Sequence, residues 1–349
     1  MHKTFLFIAI TICGSILANS NPILSKYWVR PNHSTQMDQI AHQFEVMRAT
    51  ENGYEVVVPV PEREAFLKLS PNAKLLEADM HASLLERLGW DLDGWHNFAT
   101  VQSELTAYAT QRPELITLET YGQSMDGRPL VALRLATAVA SPVEKPAIVI
   151  TGATHGDELI TVEVVLGLLK QLLDGYGHDS RITKMVDNHV LYFIRVISPD
   201  GYVNQERYCN GVDPNRDYPY PDRPNHTSNP AIANIIKFFA SHNVKGSIDY
   251  HSAAAMIMYP WAYTYASVPS ADERVFDDIT TQMAESNGYE HGQISKVIYI
   301  AQGSSADYYY WKFKTRALGI EIARDGSSSL IPSMLEENTE STWRFIESF

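Results

Sequence analysis

The stretch Ala147-Ile-Val-Ile-Thr-Gly-Ala-Thr-His155-Gly-Asp-Glu158 joins a short apolar run to a turn that carries a histidine and a glutamate three residues apart. The run is rich in β-branched residues and is flanked by a proline and a glycine, which predicts a buried parallel strand. Residues 159–173 have apolar side chains at helical spacing, so we expect a helix that packs back on the sheet. Because side chains at i and i+3 project from the same side of a helical turn, His155 and Glu158 can bind one cation together.

A His-x-x-Glu pattern is common by chance, so a metal site needs further support from the chain. Zinc accepts nitrogen and oxygen ligands, and a catalytic zinc has three protein ligands and one position for water. Residues 246–251 predict a strand that ends in His251. Glu321 lies inside an apolar strand, where a carboxylate is costly unless it has a partner or a chemical task. In sheets of this kind ligands bind beyond the carboxyl ends of the strands, where these side chains are expected.

Composition and the N-terminus limit the class of protein. The chain has 349 residues and a formal net charge of −13, which argues against nucleic acid and anionic membranes as partners. Residues 1–20 have the three parts of a secretory signal peptide, and their apolar run, residues 5–17, is too short for a membrane span. We therefore expect a secreted or periplasmic protein without stable membrane association once the signal is removed. Cys209 would then be the only cysteine left, so no intramolecular disulfide is expected.

Two further segments follow the signal. Residues 21–90 alternate short helix-like and strand-like runs in a length too small for the main fold, which predicts a small α+β module. In this module residues 36–47 have the spacing of one helix. Residues 91–349 alternate strands and helices, which predicts an α/β catalytic domain: a mixed, mostly parallel twisted sheet with helices on both faces.

Six motifs, in order along residues 95–349, resemble those of the carboxypeptidase A-like family of zinc metallopeptidases. They are His155-x-x-Glu158, Arg207, Asn215-Arg216, His251-Ser252, Tyr299 and Glu321. The resemblance implies one Zn²⁺ per chain, with His155, Glu158 and His251 as its ligands. Residues 21–90 resemble the activation-peptide module of the same family, so we interpret them as a propeptide, with a permanent accessory module as the alternative.

The resemblance also implies a role for each remaining motif in hydrolysis of the last peptide bond of a peptide or protein. Glu321 matches the general acid/base, and Arg207 matches the arginine that polarises the scissile carbonyl. Asn215 and Arg216 match the pair that clamps the terminal carboxylate of the substrate, and Tyr299 matches the mobile tyrosine that closes on it. The chemistry agrees, since a carboxylate can take a proton from zinc-bound water and a planar guanidinium suits a carboxylate.

The pocket for the substrate's last side chain also follows from the resemblance. Ala306 corresponds to the residue at its base. The other positions that resemble pocket walls are Met258, Ala262, Ile294, Ala301 and Gly319. None of them is charged, whereas a pocket for a basic residue normally presents an acid and a pocket for an acidic residue presents a base. We therefore expect apolar or aromatic C-terminal residues to be released.

Three alternatives share parts of this pattern. A cell-wall peptidase of the same family, acting on murein peptides, would keep the same zinc site and the same clamp. A non-catalytic binding protein that retains the fold would usually lack a zinc ligand or the base, and here all of them are present. A deacylase acting on an amide other than a peptide would not need Asn215, Arg216 and Tyr299 together. A monomer is expected for the peptidase.

Overall fold

The computed structural model describes residues 24–50, 52–78, 94–137 and 145–349. The expected signal peptide, residues 1–20, lies outside the described residues, and so does the expected boundary near residue 90. Within the described ranges, no helix combines the length and the apolar character that a membrane crossing requires.

Residues 24–78 form a small antiparallel sheet with two helices, which confirms the predicted α+β module. Its elements are β1 Leu24–Val29, α1 Ser34–Gln43, β2 Glu45–Thr50, β3 Gly53–Pro59, α2 Arg63–Leu69 and β4 Lys74–Glu77. The strand order is β2-β3-β1-β4. Ile40 on α1, Val56 on β3 and Phe66 on α2 are fully buried in its core.

The predicted helix over residues 36–47 is wrong at its C-terminal end. Helix α1 ends at Gln43, where the Phe44 N–H donates to the carbonyl of Ile40 and the Phe44 backbone turns extended. From there the side chains alternate, and Phe44 and Val46 both face the module core while β2 pairs with β3. A short apolar run is compatible with both the helical and the strand period, so pairing with β3 determined that these residues form a strand.

The described residues from 94 onward form one eight-stranded sheet with helices on both faces, as predicted. Its strands are β5 Ile116–Gln123, β6 Pro129–Leu135, β7 Ala147–Thr151, β8 Val190–Ile194, β9 Val244–Ser252, β10 Met256–Tyr259, β11 Glu290–Gln293 and β12 Arg316–Ile322. Its helices are α3 Phe98–Gln111, α4 Leu159–Gly175, α5 Ser180–Asn188, α6 Pro199–Asn204, α7 Pro230–Ser241, α8 Ser270–Ala284, α9 Ile294–Val297, α10 Ser305–Phe313 and α11 Ile331–Glu347.

The sheet is mixed, and its longest run of parallel strands lies in the centre. The strand order is β11-β10-β12-β9-β7-β8-β6-β5. Strands β12, β9, β7 and β8 pair in parallel, and so do β10 and β11 at one edge, whereas β6 pairs antiparallel with both β8 and β5, and β10 pairs antiparallel with β12. The observed sheet is therefore mixed, with antiparallel pairs on both sides of its parallel centre. Ile148 and Ile150 pack with α4 and α11 on one face, and Val149 packs with α7 on the other.

The carboxyl ends of three central strands meet at one edge of the sheet. In the parallel pairing of β9 with β12, His251 lies opposite Glu321. In the pairing of β7 with β9, Thr151 lies opposite Asp249, so the turn that carries His155 begins beside them. Strand register thus brings together residues that are far apart in the sequence.

Candidate functional site

The three predicted metal ligands converge at this edge. His155 Nδ1 lies 2.9 Å from one Glu158 carboxylate oxygen, and His251 Nδ1 lies 3.1 Å from the other. The two Nδ1 atoms are 3.2 Å apart, and one ligand atom of each residue lies within 4.8 Å of the others. All three side chains are buried. Two imidazole nitrogens and a carboxylate are a donor set that zinc accepts, so the residues present fit that ion.

Close packing and hydrogen bonds fix the backbone of the turn that carries His155 and Glu158. A Cβ on Gly156 would lie 2.0 Å from the carbonyl carbon of Gly201, so only glycine fits where the turn meets α6. The hydroxyl of Thr161 donates to the carbonyl of Glu158 and accepts from the N–H of Ala153. These contacts hold the turn in a conformation in which the side chains of His155 and Glu158 converge.

Two buried aspartates lie behind the metal ligands, and sequence reasoning missed both. The Nε2 atom of His155 lies 3.1 Å from Asp213 Oδ1, and the Nε2 atom of His251 lies 3.2 Å from Asp249 Oδ2. A histidine that binds a metal through one nitrogen usually donates a proton from the other, which fixes its tautomer and orientation. Asp249 could have been noticed, because it lies two residues before His251 on a strand and so faces the same side.

Glu321 faces the same cavity as the metal ligands. Its Oε2 atom is buried and has no hydrogen-bond partner among the described residues. Burial raises the pKa of Glu321, and the nearby Glu158 carboxylate raises it further, whereas the two histidines oppose the shift. A carboxylate whose protonated form is favoured in this way suits a group that accepts and returns a proton.

Arg207 lies beside the metal ligands on the side of the small module. Its Nη1 atom is 3.1 Å from His155 Nδ1, and its Nη2 atom donates to Asp213 Oδ2 at 2.9 Å. Its Nε atom donates to Glu45 Oε1 of β2, also at 2.9 Å. The guanidinium therefore lies between the predicted metal ligands and the small module.

The side chains predicted to form the carboxylate clamp lie close together and contact the small module. Arg216 Nη2 donates to the Tyr299 hydroxyl at 3.3 Å and to the carbonyl of Val46 at 3.4 Å. The Tyr299 hydroxyl donates to the same Val46 carbonyl at 2.9 Å. Asn215 Oδ1 accepts from the Ser305 N–H at 2.9 Å, which fixes the orientation of the amide.

The apolar part of the cavity contains the predicted pocket residues. Met258, Ile294, Ala301, Ala306 and Gly319 line it together with the clamp. The predicted wall residue Ala262 is not part of that lining. Its N–H donates to the buried carboxylate of Asp307, which also accepts from the N–H of Tyr263. The acid that follows the pocket base is therefore directed at backbone donors.

The residues that precede and follow Val46 on β2 extend its contact with the cleft. Tyr208 donates to Glu45, the carboxylate that pairs with Arg207, and burial raises the pKa of Glu45 to about 7, with Asp213 adding to the shift. Met47 lines the same cavity as the metal ligands and the apolar pocket. The module therefore contacts the metal side, the clamp and the pocket through three consecutive residues, none of which sequence reasoning singled out.

Comparison with known proteins places the chain among carboxypeptidases. A family model described as zinc carboxypeptidase matches residues 101–345. Carboxypeptidase A4 of Mus musculus is 27% identical over 307 residues, which cover 76% of this chain and 72% of that protein. Carboxypeptidase A1 of Mus musculus is 26% identical over 293 residues, which cover 71% and 68%. The crystal structure of a carboxypeptidase A from Helicoverpa armigera has the same fold, with a TM-score of 0.72, 21% identity and coverage of 94% of this chain and 96% of that one.

Proposed function

This chain belongs to the zinc carboxypeptidase family and is a zinc-dependent carboxypeptidase, and from that premise we propose how its own residues release the last residue of a peptide or protein. The observation that carries the proposal is the convergence of His155, Glu158 and His251 beside Glu321, whose buried Oε2 has no partner among the described residues. Zinc held by these three residues supplies a water of lowered pKa and a Lewis acid for the scissile carbonyl.

Glu321 and Arg207 carry the chemistry that the protein adds to the metal. Glu321 accepts the proton of the attacking water at Oε2 and later delivers it to the leaving amine. Arg207 donates from its guanidinium to the carbonyl oxygen, where negative charge develops in the transition state. Its hydrogen bond to Asp213 orients the guanidinium before the substrate arrives.

Arg216, Asn215 and Tyr299 restrict cleavage to the last peptide bond. Arg216 and Tyr299 already bind a carbonyl oxygen in this structure, that of Val46, so their donors converge on one acceptor position. A terminal carboxylate offers two charged oxygens to the planar guanidinium and binds it more strongly than a single carbonyl does. In the main chain only the C-terminal residue has such a group, so a clamp for it next to the scissile bond favours an exopeptidase over an endopeptidase.

The lining of the pocket supports a preference for apolar or aromatic C-terminal residues. Ala306 leaves space at the position expected for the base, and Met258 and Ile294 contribute apolar surface. The Asp307 carboxylate, the acid closest in sequence to that base, is occupied by two backbone N–H groups. A lysine or arginine side chain would therefore find no free acid in this part of the pocket.

We further propose that residues 21–90 are a propeptide that blocks the cleft and that residues 91–349 are the mature enzyme. The support is the occupation of three substrate-binding features by β2: Glu45 on Arg207, the Val46 carbonyl on the clamp, and Met47 in the cavity. A substrate must displace all three. Residues 1–20 are proposed as a signal for secretion or periplasmic export, and the enzyme is proposed to act as a monomer.

The test is release of free amino acids from blocked dipeptides that differ only in their last residue. The full chain is compared before and after a protease separates the first segment, with and without a chelator, and beside Glu321→Gln. We expect chelator-sensitive release of Phe or Leu only after activation, and none from Glu321→Gln. Preferred release of Lys or Arg would refute the apolar pocket. Muropeptides are tested in parallel, and cleavage of these alone would support the cell-wall alternative.

A further inference from the structure

We propose that Asp249 is a positioning residue for the zinc ligand His251, because it accepts the Nε2 proton and so directs Nδ1 at the metal. The inference rests on the proposed role of His251 as a ligand. Asp249 lies outside the six motifs, on the same strand as His251. Its proposed role makes it a further determinant of metal affinity.

The carboxylate of Asp249 is held on both oxygens. Oδ1 accepts from the hydroxyls of Thr151 and Thr154, each at 2.8 Å. Oδ2 accepts from the Ser305 hydroxyl at 2.7 Å and lies 3.2 Å from His251 Nε2. The side chain is buried, with 4% of the residue exposed. Three hydroxyl donors from three different segments therefore leave the carboxylate little freedom to rotate away from the imidazole.

The imidazole of His251 needs this acceptor. Its Nδ1 atom faces the other ligands, 3.1 Å from Glu158 Oε2, so a metal bound there leaves the ring proton on Nε2. Besides Asp249, the amide nitrogen of Asn215 also lies 3.2 Å from Nε2. An amide N–H can only donate, and the Ser305 N–H fixes the opposite end of that amide. Of these two neighbours, only the Asp249 carboxylate, 3.2 Å away, can accept the ring proton.

The two aspartates behind the metal ligands differ in what else they bind. Asp213 also pairs with Arg207, so a change there would disturb the oxyanion donor as well as His155. Besides the imidazole of His251, Asp249 binds hydroxyl groups. Strand register places it directly opposite one of their owners, Thr151. Removal of Asp249 should therefore act on the metal through His251 and, by way of the Thr154 hydroxyl, on the turn that carries His155, while the pair of Asp213 with Arg207 stays intact. Loss of an outer partner of this kind typically lowers metal affinity about 10- to 100-fold.

The experiment measures zinc affinity of the full chain by competition with a chromophoric chelator, together with the visible spectrum of the Co²⁺-loaded protein. Asp249→Ala should weaken zinc binding about 10- to 100-fold and alter the Co²⁺ spectrum, and Asp249→Asn should show a smaller loss. The matched control is Thr151→Val, which removes one buried hydrogen bond from the same carboxylate and leaves His251 untouched. We expect its zinc affinity to stay within about threefold of the unchanged protein, although it loses thermal stability.

Two results would overturn the inference: an unchanged zinc affinity in Asp249→Ala, or an equal loss in Thr151→Val. The variant His251→Ala distinguishes an incorrect ligand set from an incorrect role for Asp249. If it retains zinc affinity, the proposed ligand set fails. If it loses zinc while Asp249→Ala does not, only the role of Asp249 fails. Should both Asp249 variants fail to fold, NMR of the unchanged zinc-loaded protein decides, because the proposal requires the Nε2 proton of His251 to have the downfield shift of a proton donated to a carboxylate, and a proton without this shift would overturn it.

Discussion

Gly303 is the position at which a single methyl group should disable substrate binding without touching the metal. Its φ is +81°, and a Cβ there would lie 2.3 Å from the carbonyl oxygen of Arg216. Ordinary carbon contacts are about 3.5 Å or longer, so Gly303→Ala must push the Arg216 backbone away by about 1 Å. The Tyr218 N–H donates to the Gly303 carbonyl at 3.1 Å, so the two loops cannot separate without losing this bond.

The expected effect has two parts that can be measured separately. An alanine at this positive φ costs about 1–2 kcal/mol of stability whatever its neighbours. Displacement of the clamp by about 1 Å should lower kcat/KM about 100-fold, because catalysis depends on the position of the bound substrate. We expect zinc content to be unchanged, since the metal ligands lie on β9 and on the turn after β7.

Gly288→Ala is the matched control. Gly288 has a similar φ of +72°, but a Cβ there would meet no atom within 4 Å. It should lose only the stability that the positive φ costs, measured by thermal unfolding, with kcat/KM unchanged. Both variants are assayed after proteolytic activation, on a blocked dipeptide with a free C-terminus. The predicted effect of the steric clash would be refuted if kcat/KM of Gly303→Ala stayed within threefold of the unchanged enzyme, or if Gly288→Ala lost as much kcat/KM.

Three other predictions concern the metal, the clamp and the module. Removal of zinc by a chelator should abolish peptide release and lower the unfolding temperature, with both restored by added Zn²⁺, because the ion binds the folded chain; unfolding at an unchanged temperature would contradict this. Arg216→Lys should lower kcat/KM for free-acid substrates about 10- to 100-fold, because a lysine cannot bind a carboxylate through two parallel N–H groups, and an unchanged value would exclude Arg216 from the clamp. The pKa of Glu45 is about 7 in the intact chain against 4.5 for an ordinary glutamate, so the docked module binds more protons. Docking should be strongest below pH 4.5 and weaken up to pH 7, by at most about 3 kcal/mol. Hydrogen exchange of the β2 amides should therefore speed up over this pH range, and a Glu45→Gln variant with the same pH dependence would disprove the role of Glu45.

Local patterns in the sequence were sufficient to predict His155, Glu158 and Glu321 as site residues. His155 and Glu158 are three residues apart, and the structure brings them together in the turn before α4, which begins at Leu159, rather than on a helix. Glu321 stood out because a carboxylate in an apolar strand is costly without a task. The helix over residues 36–47 shows the limit of the same approach, since its last turn became β2 when a partner strand was available.

What the sequence by itself determined is the set of candidate residues: His155, Glu158 and Glu321 stand out from their own neighbourhoods, whereas Arg207 and the Asn215-Arg216 pair were predicted from the family resemblance. What only the tertiary structure decided is which groups surround them. Glu45 reaches Arg207 across 162 residues, and Asp249 reaches Thr151 across 98. Such partners are determined by strand register and by the docking of one sheet on another. The spacing of apolar residues along the chain does not predict either of these. The closed cleft and the support behind His251 therefore became visible only once the chain was folded.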